Sequence, residues 1–303
     1  MDLNPRLAGQ DLGDVLGIDR KLGVLVSVDE KDVLPKIKAD IVLHATTSSL
    51  KVTVPQLKSV TKAGYSVVST CEELAYPWAR QSDLAQEIDK ISKENKVTVL
   101  ATGVNPGFVM DTWPILMTAV CQDVKKIKVA RIQDARHRRL SFQKKIGAGC
   151  TVEEFNKLAD AGTIRHVGLA ESITMIAAAM GWKLDSITED IAPVVTDKEV
   201  KSNFITVETG QVAGVKQIGL GKRKGEELIR LEFEAYLGAP GSYDAVYISG
   251  TPNMEVIIRG GTFGDVATAA IVVNAIPQVL AAPPGLMTMI HIPLVHAYKA
   301  FET

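Results

Sequence analysis

The sequence predicts an α/β protein: a parallel, doubly wound sheet first, then an α+β domain with a mainly antiparallel sheet. Between Asp40 and Val120 the chain alternates three times between a short apolar run and a helical stretch, the pattern of consecutive βαβ units. Each apolar run ends in small polar residues, at Thr46–Ser49, Thr70–Glu73 and Thr102–Gly107. From Lys183 onward, strand-like runs are separated by turn residues, as in an antiparallel sheet.

Taken in order, Gly23–Val28 reads as a short strand and Glu30–Lys38 as a polar connection or short helix. Asp40–Ala45 is nearly all apolar, as expected of a strand covered on both faces. Val52–Ala63 reads as a helix, with Pro55 tolerable in its first turn and Gly64 as its stop. Tyr65–Ser69 is the second strand, and Trp78–Glu94 carries Leu84, Ile88 and Ile91 at helical spacing. Lys96–Ala101 is the third strand, and Phe108–Val120 a helix that Pro114 can kink. Right-handed crossovers place all three strand ends on one edge, where open α/β sheets bind ligands.

Beyond Gln122 the pattern changes. Lys126–Ile132 alternates as a strand, and Thr151-Val-Glu-Glu has the spacing of a capping box. Val167–Met180 is an alanine-rich helix ended by Gly181. Candidate strands follow at Ile205–Val212, Leu228–Ala235, Ala245–Ser249 and Met254–Arg259, then an apolar helix over Asp265–Leu280. Gly219–Gly225 is glycine-rich and basic, but no helix follows it, so it reads as a hairpin turn and not as a phosphate cradle. The expected domains are residues 1–122, residues 123–281, and a tail of 282–303 that packs back on the core.

A net charge of −1 gives no electrostatic reason to expect nucleic acid or an anionic membrane as a partner. No apolar run approaches the roughly 20 residues that span a bilayer. The three cysteines lack metal-ligand spacing, so no metal is expected, and they read as reduced thiols of a cytoplasmic protein.

The stretch from Val67 to Trp78, VVSTCEELAYPW, carries the most chemistry. It places Glu72 and Glu73 just past a strand end, where a carboxylate can exchange a proton with a substrate. The same acids also suit a helix start behind Thr70. Cys71 raises a rival class, a thiol-dependent semialdehyde dehydrogenase, although adjacent acids raise a thiol pKa and no histidine is obviously paired with it. His44, inside an apolar strand, reads as a core histidine, and Asn105 by itself as a turn residue before Pro106. The basic run from Gln133 to Lys145 reads either as a solvated face or as a source of Arg136, Arg138, Arg139, Lys144 or Lys145 for a substrate carboxylate. A dinucleotide-binding half normally opens with a strand, G-x-G-x-x-G, a helix and a strand ending in an acid. Here Asp2 stands where that acid would be, with roughly 30 residues of a first βαβ unit not represented.

The combination of Asp2-Leu-Asn-Pro, His44-Ala-Thr-Thr-Ser, Ser69-Thr-Cys-Glu-Glu-Leu and Thr102-Gly-Val-Asn-Pro-Gly-Phe resembles the 2,4-diaminopentanoate dehydrogenase family. That family includes the native amine dehydrogenases and is related to dihydrodipicolinate reductase. The likeness continues through Lys145-Ile-Gly-Ala-Gly-Cys-Thr-Val-Glu-Glu-Phe and His166-Val-Gly-Leu-Ala-Glu-Ser. It implies a Rossmann domain plus an α+β domain for substrate and subunit contacts. It also implies NAD- or NADP-dependent interconversion of a primary amine with a ketone and ammonia, and a homodimer. A glutamate of the Cys-Glu-Glu motif would be the acid/base, Glu73 first and Glu72 second. The cofactor would lie along Ala45, Thr46, Thr47, Ser48, Thr70, Cys71, Asn105 and Pro106. Asp2 would hold the adenosine ribose, and Arg6 would tolerate a 2′-phosphate. His166, Arg138 and Thr102 would meet the substrate. The glycine loop of the family is the departure, so the expected start lies further upstream or the chain is a truncated form. The alternatives are an imine reductase of the dihydrodipicolinate reductase type, or an inactive fragment or scaffold.

Overall fold

The structure is a computed structural model and describes residues 1–297. Three strands follow one another as the sequence predicts: β1 (Ile41–His44), β2 (Ser66–Ser69) and β3 (Thr98–Ala101). They pair in parallel, with Leu43 opposite Val68 and Val68 opposite Leu100. A fourth parallel strand, β12 (Gly285–Met287), comes from the far end of the chain and lies against β3, giving the order β1-β2-β3-β12. Side chains alternate across this sheet. Val67 and Val99 face one layer with Leu50, Leu57, Ile88 and Leu286. That layer is built by α2 (Leu50–Lys62) and α3 (Ser82–Glu94). Val68 and Leu100 face the other, with Met175, Val272 and Val279. Those three belong to α7 (Leu169–Ala179), α8 (Gly264–Asn274) and α9 (Ile276–Ala281). The parallel sheet is therefore covered on both faces, and its second cover is supplied by the later part of the chain.

The second sheet has the order β11-β10-β4-β9-β8-β5. Its strands are β4 (Asp123–Asp134), β5 (Ser186–Val195), β8 (Val212–Arg223), β9 (Glu226–Tyr236), β10 (Tyr243–Thr251) and β11 (Met254–Arg259). Only β4 and β9 pair in parallel; the other neighbours are antiparallel. The predicted capping box is present, with Thr151 and Glu154 exchanging hydrogen bonds at the start of α6 (Val152–Asp160).

Several elements differ from expectation for identifiable reasons. Gly23–Val28 forms no strand beyond one bridge between Asp11 and Leu25. The Asp11 carboxylate accepts from the N–H groups of Gly13, Leu22 and Gly23, and folds this stretch, with α1 (Leu12–Val15), into a loop. The run Ile205–Val212 is split. Its first part pairs as β7 (Thr206–Val207) with β6 (Val200–Lys201), and Val212 opens β8. The basic hairpin exists, but it turns only at Lys224-Gly225, both at positive φ. Gly219 and Gly221 lie within β8, where an added Cβ would come within 2.9 and 2.8 Å of the Ile173 side chain. They are glycines because α7 packs closely on the sheet. Residues 264–281 are, among the described residues, the one helical stretch long and apolar enough on composition to cross a membrane, with mean hydropathy 1.4. In this fold α9 packs against β2 and β3, and α8 walls the cavity described next.

Candidate active site

The three strand tips meet. The Thr70 N–H donates to the His44 carbonyl, and the Thr102 N–H to the Ser69 carbonyl, each at 2.9 Å, so the tips continue the ladder side by side. They form one side of a cavity of about 780 Å³, to which Ala45, Thr46, Thr47, Ser48, Thr70, Glu72, Asn105 and Pro106 contribute. The facing wall comes from the second sheet, the basic segment and α8.

The two glutamates part company in the 3₁₀ turn Glu72–Leu74. Glu72 lines the cavity. Glu73 Oε2 accepts from the Leu50 N–H at 2.8 Å and the Gln81 Nε2 at 3.0 Å. It therefore caps α2, whose N-cap residue Ser49 makes no side-chain cap bond. Cys71 between Ser69 and this turn is buried, and burial, opposed by a hydrogen bond from Thr53, pushes its thiol up to about 11. Its Sγ donates to the Ser48 carbonyl at 3.3 Å. A thiol held protonated beneath the surface is a poor nucleophile, and Cys71 does not line the cavity. His44 is a core histidine. Its Nδ1 lies 2.9 Å from Ser69 Oγ and its Nε2 2.6 Å from Gln56 Oε1, and burial lowers its pKa.

The third tip is held by Asp111. Its fully buried carboxylate accepts from the Gly107 N–H at 2.8 Å, the Thr112 N–H at 2.6 Å and the Ser172 hydroxyl of α7 at 2.7 Å. Burial raises the Asp111 pKa, and these donors pull it back. The clamp leaves two polar atoms buried without a partner among the described residues: Asn105 Oδ1 and Thr102 Oγ1. Thr102 is behind the rim and does not line the cavity, whereas Asn105 does. Buried orphan acceptors are rare, and Asn105 Oδ1 at the cavity wall fits a bound group that supplies a donor.

On the facing wall, His166 stacks on Phe233 with ring centroids 4.6 Å apart. Gln217 holds its backbone at both the N–H and the carbonyl. Burial, followed by the positive charges of Lys145, Arg131 and Arg165, pushes its pKa down to about 3, so the imidazole is neutral. Arg138 lines the cavity, but its guanidinium is committed to Asp265 at 3.1 and 3.3 Å and to Gln133 Oε1 at 2.7 Å, over the Phe142 ring. Arg131 likewise pairs with buried Asp244 at 2.6 Å. Asp2 and Arg6 are not brought to this cavity. They lie in an exposed N-terminal turn, where the Asp2 carboxylate accepts from the Asn4 N–H. Sequence reasoning missed Arg131, Gln133, Phe233 and Thr268. Arg131 and Gln133, two apart and buried on one strand, are the one signal available for them. Among the described residues, no group of three or more His, Cys, Asp or Glu is placed to hold a metal.

Residues 108–302 match the family described as the 2,4-diaminopentanoate dehydrogenase C-terminal domain. Over 273 residues the chain is 40% identical to a 2,4-diaminopentanoate dehydrogenase of Acetoanaerobium sticklandii, covering 88% of this chain and 77% of the relative. The chain belongs to the 2,4-diaminopentanoate dehydrogenase family. An amine dehydrogenase of Streptomyces virginiae is 24% identical over 323 residues, covering 96% of this chain and 87% of its own. The structure of an amine dehydrogenase from Mycobacterium smegmatis superposes with a TM-score of 0.87 at 26% identity, covering 98% of this chain and 89% of that one. A probable dehydrogenase from Thermotoga maritima, at 12% identity and a TM-score of 0.54 over 96% of this chain and 83% of its own, shares the fold. The parallel sheet with its helices, followed by a mixed and mostly antiparallel sheet, is the architecture the family motifs imply.

Proposed function

We propose that this protein is an NAD(P)-dependent amine dehydrogenase that oxidises the primary amine of 2,4-diaminopentanoate, or of a similar amine, to a ketone and ammonia. The observation that carries this reading is a single motif carboxylate, Glu72, facing a cavity at the carboxyl edge of the parallel sheet. The net reaction takes a protonated amine, oxidised cofactor and water to a ketone, ammonium, reduced cofactor and a proton. The residues present fit a nicotinamide group: Thr46, Thr47 and Ser48 offer hydroxyls to a ribose, and Asn105 Oδ1 is unsatisfied. When bound, the nicotinamide supplies the hydride acceptor. Glu72 takes the proton from the substrate ammonium and releases it to solvent, and the carboxylate so regenerated stabilises the cationic iminium by its negative charge. It next takes a proton from the water that adds to the iminium carbon.

The choice between NAD and NADP belongs to the same proposal, as do a homodimer and a cytoplasmic location; the three unpaired thiols support the last. The test is to incubate the full chain with 2,4-diaminopentanoate and a panel of simple amines, with NAD and NADP separately. Reduced cofactor and ammonia should appear in equal amounts. Cofactor reduction without ammonia, or no reaction with any amine, contradicts the reading. Sedimentation of the same sample reports the assembly.

A further inference from the structure

The walls of the cavity are of opposite charge, and the imbalance is concentrated on one residue. Four cations line the wall that faces the strand tips: Arg131, Arg138, Arg139 and Lys145. Arg131 is neutralised by buried Asp244, and Arg138 by Asp265, with Arg139 3.6 Å from the same carboxylate. Lys145, in the last turn of α5 (Leu140–Lys145), has no carboxylate within ion-pairing distance among the described residues. Beside it is the neutral His166 ring, whose Nε2 is buried with no hydrogen-bond partner. Lys145 is the first of the charges that hold that ring neutral. A neutral imidazole keeps one N–H, and an anion selects the tautomer that carries it on Nε2.

We propose that Lys145, with a hydrogen bond from His166, anchors the carboxylate of the substrate while its reacting nitrogen is held at Glu72. This rests on the amine dehydrogenase reading for the nitrogen end, but the anion end stands on the wall itself. Arg138, the more obvious candidate in the sequence, is spent on Asp265 and Gln133. An unpaired ammonium and an orphan imidazole nitrogen together make a site for one carboxylate, with Arg139 adding to the local field. An anion on the cofactor is the competing occupant, and the experiment separates the two.

The experiment compares 2,4-diaminopentanoate with its isosteric carboxamide, in the wild type, Lys145→Gln and Lys144→Gln. Lys144 is exposed and does not line the cavity. Lys145→Gln should lower kcat/KM for the acid by about 30-fold or more, and change that for the amide by less than about threefold. Cofactor KM should stay unchanged, and Lys144→Gln should resemble the wild type. Equal losses on acid and amide, or a rise in cofactor KM alone, overturn the proposal. If no amine is turned over, the activity reading fails separately, and calorimetric titration with 4-aminopentanoate and its amide still decides. Tighter binding of the acid that Lys145→Gln removes supports the anchor, and equal binding of acid and amide by the wild type refutes it.

Discussion

Two neighbouring residues of a 3₁₀ turn point about 120° apart, and that rotation separates the roles of Glu72 and Glu73. One carboxylate faces the cavity and the other satisfies a helix start. Glu73→Ala should therefore lower stability by about 1–2 kcal/mol, read as a shift in the urea midpoint. Cys71 should resist alkylation in the native protein at pH 8, since its pKa is about 11, and Cys71→Ser should keep turnover. Rapid alkylation with loss of activity would restore the thiol mechanism. His166 gives a pH dependence whose sign is fixed. Its folded pKa of about 3 lies below the ordinary 6.5, so between those values the unfolded chain binds a proton that the folded chain refuses. Stability is full above pH 6.5 and is lost as pH falls through that window. Chemical denaturation at pH 7 and pH 5 should show wild type losing up to about 2 kcal/mol more than His166→Phe; equal losses would place the imidazole in solvent.

The strand tips were legible because two signals coincide there: an apolar run with a strand's length, and small polar residues where it stops. The clamp that shapes the third tip was not. Asp111 reads in sequence as one more acid near a helix start, and only the fold brings it to Ser172 of α7. Asp111→Ala strands the Gly107 and Thr112 N–H groups in the interior. It should cost about 3 kcal/mol and raise KM through the displaced Asn105, measured by thermal unfolding and substrate titration. The capping box was legible from its spacing alone, and Thr151→Ala should cost about 1 kcal/mol without changing kinetics. β5 was missed because it is a partly exposed edge strand with polar residues and Pro193, lacking a clean apolar alternation. Gly219 and Gly221 disguised the end of β8 as a turn, because glycine chosen for close packing looks the same in sequence as glycine chosen for positive φ.

The two sheets share their covering layers. α7, α8 and α9 lie beyond the parallel sheet in sequence yet bury its second face, and β12 returns to pair with β3. A tail that packs on the core was foreseeable from its apolar residues. A strand of three residues was not, since its partner lies some 185 residues earlier, as the bond from Thr98 to the Pro283 carbonyl records. Leu286→Ala should cost about 2–4 kcal/mol and lower a single, shared unfolding transition, because the layers around β12 join early and late segments. Two separated transitions would show that the sheets unfold independently. The same interlocking holds the cavity walls in register, with Glu72 on one side and the basic wall on the other. The decisive measurement is amine-dependent cofactor reduction by Glu72→Gln beside Glu73→Gln, each with its cofactor affinity. The account predicts a loss of about a thousandfold or more in kcat for Glu72→Gln, with cofactor binding kept and Glu73→Gln nearly as fast as wild type. Undiminished turnover in Glu72→Gln would contradict it.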